Sequence, residues 1–229
     1  EGEGAFTDAH HIQVNGEILE GRNIIIATGS LPMMPPVEIV DGSRLIDSEQ
    51  ALERTDIPPR LAVIGGGVIG VEFASLYAQL GSQVTIIERL ASALPMFDAD
   101  IIKSTARLLK KQKIRLHTSA SVQSINGGLI RYEQNGEIQE LAADTILMAV
   151  GRKPARTGYG VEDTGGVYDR AISTDAGLRT NVAGVYAIGD VNGQSMLAHT
   201  ASAEGLVAIE NICGGQATID YGKIPSCVY

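Results

Sequence analysis

Cysteine is scarce in this chain: Cys213 and Cys227 are the two among 229 residues. Two thiols exclude a disulfide framework, and their spacing fits neither a redox CxxC pair nor a zinc site, so both read as plain thiols. The four histidines, His10, His11, His117 and His199, show no ligand spacing, and no metal site is expected. Basic residues are outnumbered, 18 Lys and Arg against 27 Asp and Glu, for a net charge of −9. A nucleic-acid surface needs clustered cations that are absent here. Apolar runs stop far short of the roughly 18 residues of a membrane span, so no membrane partner is expected. No signal peptide is visible, and the expected location is cytoplasmic. The chain opens at Glu1 without a methionine, straight into strand-like sequence, which reads as a fragment of something longer.

Glycine is in excess, 27 of 229. That is well above the usual share of about 7%, and it points to many tight turns or close approaches of backbone to ligand. Apolar residues make up 44%, enough for an ordinary core. Asn15-Gly16 is a hairpin signal before the apolar strand at residues 23–27. The proline-rich stretch 32–36 reads as a connection. A different rhythm starts at Leu61: a buried strand over 61–64, a turn over 65–70, and a helix over 71–80 that places Phe73, Leu76, Tyr77 and Leu80 on one face. A strand over 83–88 completes a βαβ unit and implies a parallel sheet. A helix over 100–111, a strand over 114–117, a meander over 122–141 and a strand over 144–150 follow. Beyond an irregular stretch come a strand at 185–188 and a helix over 200–212. The fold class is α/β: a Rossmann-like domain with a parallel sheet and a β-meander at 45–151, inserted between flanks 1–44 and 152–229 that each look incomplete and belong to one another.

The motif GGGVIG, comprising Gly65, Gly66, Gly67, Val68, Ile69 and Gly70, fits G-x-G-x-x-G. A chain this rich in glycine would match it by chance about 0.4 times, so context decides. It stands between a strand and a helix, and Glu88 ends the next strand. Gly65 permits the turn, Gly67 lets backbone approach a pyrophosphate, and Gly70 allows close helix–strand packing. Amide groups at the positive helix end face the phosphates. Glu88 is placed to accept hydrogen bonds from ribose hydroxyls and to repel a 2′-phosphate, which favours NAD over NADP. For Glu72, two readings stand equally: a charge–dipole contact in the first helical turn, or a position beside the nicotinamide.

Three similar phrases recur: IIIATGS at Ile24–Ser30, ILMAVGRKP at Ile146–Pro154 and VYAIGD at Val185–Asp190. With GGGVIGVEFASLYAQLGSQVTIIE and LAHTASAEG, they make the chain resemble the flavoprotein disulfide reductases, and within them most closely the dihydrolipoamide dehydrogenases. Five motifs occur in the order of that family. The resemblance implies an FAD domain split by an inserted NAD domain, with ATGS and AVGR at the two crossings and VYAIGD as the returning strand. It further implies that Gly4, Thr28, Gly29 and Ser30 border FAD, that Asp190 meets its ribityl chain, and that Met196, Leu197, Ala198 and His199 lie against the flavin ring. Ala120 and Gly151 would line the NAD cleft. For His199, a residue satisfied by backbone at a helix start is an equal alternative.

What the resemblance implies for the parent protein is hydride transfer between NAD(H) and FAD, coupled to dithiol/disulfide exchange, in a homodimer. The chain carries no second G-x-G-x-x-G, no CxxxxC pair and no C-terminal His/Glu base segment, so no catalytic residue is assigned within it. Glutathione reductase-like or NADH oxidase-like activity, or a non-catalytic dinucleotide-binding module, are the alternatives.

Overall fold

The computed structural model describes residues 2–166 and 169–229. The chain divides into two compact units, 1–31 with 152–226, and 32–151 with 227–229.

The first unit begins with an antiparallel ribbon of β1 (Gly4–Asp8), β2 (His11–Val14) and β3 (Glu17–Glu20). Asn15 and Gly16 both take positive φ, 52° and 86°, the backbone that a two-residue hairpin loop between right-twisted strands requires. Only Phe6 is buried in β1. The short strands β4 (Ile24–Ile26) and β5 (Ser30–Pro32) follow.

In the second unit β6 (Glu38–Asp41) and β7 (Leu45–Ile46) lead into α1 (Ser48–Glu53), whose start is fixed by a capping box between Asp47 and Gln50. The βαβ core is β8 (Arg60–Ile64), α2 (Val68–Gln79) and β9 (Gln83–Ile87), followed by α3 (Ala99–Lys111) and β10 (Arg115–His117). The meander is β11 (Ala120–Asn126), β12 (Leu129–Gln134) and β13 (Glu137–Ala142), and β14 (Thr145–Met148) returns to the sheet. The sheet is parallel throughout, in the order β10-β9-β8-β14-β7.

Its two faces bury different partners. Leu61 and Val63 of β8, with Val84, Ile86 and Leu147, face the side that receives Val71, Ala74 and Tyr77 of α2. Ala62, Ile64, Ile87, Ile146 and Met148 face Ile125, Ile130 and Tyr132 of the meander. The period of two along each strand thus feeds two cores, which is why these strands are continuously apolar in sequence. Each fully buried Leu or Ile contributes about 1.5–3 kcal/mol.

Helix α2 differs from the sequence expectation in start and in face. It begins at Val68, and its buried positions are Gly70, Val71, Ala74 and Tyr77. Leu76 and Leu80 are 48% and 49% exposed. The face laid on the sheet joins Gly70 and Ala74, which allow close approach, to Val71 and Tyr77, which fill the helix-side core.

The boundary expected at 44 moves to the Leu31–Pro32 junction. The reason is β6, which pairs in parallel with β11 and so ties residues 38–41 to the meander. At the other end, residues 227–229 go with the second unit, where Val228 packs against the helix-side core.

The first unit resumes with β15 (Arg152–Pro154), which pairs with β5, and β16 (Val185–Ala187), which pairs in parallel with β4. The register is Ile24 to Val185, Ile25 to Tyr186 and Ile26 to Ala187, so the two flanks meet through the strands the sequence reading brought together. Helix α4 (Ala198–Ile212) starts two residues earlier than expected and buries Thr200, Glu204, Ala208 and Asn211.

Candidate functional site

In the second unit the motif turn lies where β8 gives way to α2, at the carboxyl edge of the parallel sheet. The three glycines at the G-x-G-x-x-G positions stand in three different surroundings. Gly65 has φ +110°, and a Cβ there would stand 2.3 Å from the Ala149 carbonyl oxygen. Gly70 has no room either: its Cβ would meet the Gly65 carbonyl oxygen at 2.0 Å. Gly67 is the N-cap of α2 with ordinary extended backbone, and its Cβ would meet nothing within 4 Å. No protein atom therefore explains the glycine at 67. The space beside it adjoins the first turn of a 12-residue helix that has no side-chain cap, so its leading N–H groups point outward without intrahelical acceptors. That is the geometry of an anion cradle, which a pyrophosphate fits.

Glu88 follows β9 and is buried, 8% exposed. Its carboxylate accepts the Gly66 N–H at 2.5 Å and the Leu90 N–H at 2.6 Å. Two amides fix its direction while about two of its four lone-pair positions stay available for ribose hydroxyls. Ala120 lies beside it: its N–H donates to the Glu88 carbonyl at 3.0 Å, while its side chain is buried in the meander-side core. Gly151, at φ +124°, accepts the Met33 N–H at 2.9 Å just beyond β14, the strand whose end crowds Gly65. Gly65 to Gly70, Glu88, Ala120 and Gly151 thus gather at the carboxyl ends of β8, β9 and β14. Val68 and Ile69 open α2 there, both half-buried.

Glu72 stands elsewhere than expected. With α2 starting at Val68, no acidic residue lies in its first turn, which removes the charge–dipole account at that place. Its carboxylate instead accepts the Tyr229 N–H at 3.0 Å.

In the first unit Ser30, Arg152 and Asp190 form one network. Ser30 Oγ donates to Asp190 at 2.5 Å and accepts from Arg152 Nε at 2.7 Å, while Arg152 Nη2 donates to the Ser30 carbonyl at 2.8 Å. Asp190 rides on the 3-10 turn Gly189–Asn192, and it alone of those four residues is not fully buried. Sequence reasoning placed Ser30 and Asp190 but left Arg152 unassigned, although it stands in the AVGR phrase. Its partner lies 122 residues away in sequence, and no local signal names it.

Gly4 and Thr28 line a shallow apolar groove with Phe6, Ile12, Ile26 and Tyr159. Thr28 Oγ1 donates to the Ala155 carbonyl at 2.7 Å. Gly29 takes φ +72° with open space around its missing side chain. Met196, Ala198 and His199 are exposed at the start of α4, and Leu197 is its half-buried N-cap. His199 Nε2 lies 3.0 Å from the Pro225 carbonyl, a contact to backbone rather than to a titrating partner. Among the described residues no group of three His, Cys, Asp or Glu is disposed to hold a metal, and no helix is long and apolar enough to cross a membrane.

Residues 1–205 match the pyridine nucleotide-disulphide oxidoreductase family. A dihydrolipoyl dehydrogenase from Acholeplasma laidlawii is 41% identical over 226 residues, which cover 96% of this chain and 67% of that protein. One from Chlamydia trachomatis is 37% identical over 237 residues, covering all of this chain and 50% of its own length. The HOCl-induced flavoprotein disulfide reductase RclA from Escherichia coli superposes with a TM-score of 0.87 at 31% identity, over 95% of this chain and 51% of that one. The chain spans about half the length of most of the relatives it matches, and two thirds of the Acholeplasma protein.

Proposed function

Since the chain belongs to the pyridine nucleotide-disulphide oxidoreductase family, we propose that its second unit binds NAD(H), and that its first unit holds part of an FAD site. The whole protein, on this reading, is a dihydrolipoyl dehydrogenase that passes a hydride between NAD(H) and FAD, coupled to dithiol/disulfide exchange. The names and identities of its relatives support that choice. The resemblance also supports a cytoplasmic homodimer.

The observation that carries the NAD assignment is the open N-cap at Gly67 beside the held carboxylate of Glu88. The uncapped amides of α2 receive the pyrophosphate, and Gly67 lets it approach without a side chain in the way. Glu88 accepts the ribose hydroxyls. A 2′-phosphate would bring a second negative group against a buried carboxylate, so NADP(H) is disfavoured. In the first unit Asp190, steadied by Ser30 and Arg152, is the acceptor for a ribityl hydroxyl, Thr28 borders FAD, and Gly4 borders its adenine end. The flavin, when bound, supplies the electron chemistry. The protein's share is placement and exclusion of water.

Calorimetric titration of the chain with NADH and NADPH tests the reading. NADH is expected to bind at least tenfold more tightly, and equal or tighter binding of NADPH would overturn the role of Glu88.

A further inference from the structure

Glu204 is a carboxylate with no exposure at all, on a helix face otherwise made of Thr200, Ala208 and Asn211. A charged side chain in such a place needs partners, because its desolvation is costly otherwise. Glu204 has two. One carboxylate oxygen accepts the Gly189 N–H, and the other accepts the Tyr221 hydroxyl at 2.7 Å.

Gly189 is the residue before Asp190 and takes φ +71°, a left-handed backbone that opens the turn. The same turn is pinned at other points: Val191 is fully buried and its carbonyl accepts the Ile172 N–H at 3.0 Å, and Asn192 is 3% exposed. Asp190 is what this anchored turn presents. Its side chain is held by Ser30, and the backbone that carries it is held by Glu204.

We propose that Glu204 is a positioning residue for Asp190, acting through the Gly189 amide, with Tyr221 as the hydroxyl that keeps the carboxylate in place. The proposal rests on the reading of Asp190 as a flavin contact for its functional meaning, and on the hydrogen bonds alone for its geometry. Burial and the neighbouring Glu204 push the Tyr221 phenol up, opposed in part by Asn192. The phenol therefore stays a donor to Glu204 throughout the neutral range.

Two substitutions in the isotopically labelled chain, Glu204→Gln and Tyr221→Phe, test this by nuclear magnetic resonance. Glu204→Gln replaces a charge-assisted acceptor with a neutral one of the same size, so amide exchange at Gly189 should rise about tenfold. The Asp190 carboxyl carbon should shift, and the amides of Ile26 and Ala187 in the paired strands should be unchanged. Unchanged Gly189 exchange and an unmoved Asp190 signal would overturn the proposal. So would a uniform rise across all amides of the first unit, which would mean a general role in the core. Tyr221→Phe leaves the carboxylate in place with one partner fewer and decides the matter if Glu204→Gln does not fold: a local change at Gly189 and Asp190 is expected, and none would overturn it. FAD titrated into wild type and variant tests the flavin reading separately. A turn that has moved with equal FAD affinity in both proteins would remove that reading and leave the positioning role standing.

Discussion

Substituting alanine at each motif glycine separates the requirements of the fold from those of the ligand. At Gly70 the added methyl would lie 2.0 Å from the Gly65 carbonyl oxygen, a backbone atom that cannot swing aside. Overpacking of this kind costs about 1–3 kcal/mol, and a unit of this size loses roughly 3–6 °C of melting temperature per kcal/mol. Gly70→Ala should melt about 3–18 °C lower than wild type. Gly65→Ala should behave similarly, since it combines φ +110° with a 2.3 Å approach to the Ala149 carbonyl. Gly67→Ala meets no protein atom, and its φ of −72° is open to any residue. It should cost only the difference between Gly and Ala at an N-cap, about 0.5 kcal/mol and some 2–3 °C. The methyl does project beside the uncapped amides, so NADH affinity should fall about tenfold or more, and Gly67→Val should abolish binding. Thermal unfolding followed by circular dichroism, with calorimetric titration of NADH, reads both effects. Gly67→Ala that binds NADH like wild type would refute the assignment of that space to the pyrophosphate. Gly67→Ala that melts as low as Gly70→Ala would refute the claim that no protein atom claims the space.

Asp144 accepts from the Arg60 backbone N–H, Nε and Nη2, and lies 3.5 Å from Arg44, so these guanidinium groups hold its carboxyl below the usual aspartate range. A depressed folded-state pKa stabilises the fold above the unfolded value of about 3.9 and ceases to do so as pH falls through the folded one. Asp144→Asn should therefore melt lower than wild type at pH 7, with the gap between the two narrowing as the pH falls below the unfolded aspartate value; a gap that stays constant into that acid range would refute the linkage. With no CxxxxC pair in the chain, dihydrolipoamide and NAD should show no turnover above buffer. Turnover surviving replacement of both Cys213 and Cys227 would place the electron path elsewhere.

Most of the second unit was legible because its strands and motif turn obey local rules. Leu61 to Ile64 is an unbroken apolar run because both faces of β8 are covered, and Gly65 marks the one position of the motif turn with positive φ. The errors fall where burial depends on a neighbour. Apolar periodicity puts Phe73, Leu76, Tyr77 and Leu80 on one face of α2, and Tyr77 is buried with Phe73 packed against the core, but Leu76 and Leu80 are exposed while Gly70, Val71 and Ala74 lie inward, where the missing side chain of Gly70 lets the helix approach the sheet. The division at the Leu31–Pro32 junction, rather than at 44, has a related reason. Nothing in EIVD says that β6 will pair with β11, some eighty residues on, and a parallel partner leaves no hairpin signal between the two.

The polar groups around Asp190 mark the remaining limit. Helical spacing does put Thr200, Glu204, Ala208 and Asn211 on one stripe, so the face Glu204 shares could be read from the register of α4 alone, but not that this mostly polar face turns inward while Leu206 and Ile209 stay exposed. Its partners could not, since the Gly189 amide reaches it only after β16 has paired with β4 and carried the turn over the helix. The same holds for Arg152 and Ser30, which adjoin only when β15 and β5 run together. Apolar burial averages over many interchangeable neighbours and so leaves a periodic trace. A buried hydrogen bond needs one particular atom, and the strand pairings that deliver it are set by the whole sheet. Motif phrases such as ATGS, AVGR and AIGD mark where those atoms will converge without saying which will bond to which. The network linking Ser30, Arg152 and Asp190, and the anchor of Glu204 beneath it, are therefore properties that only the folded chain displays.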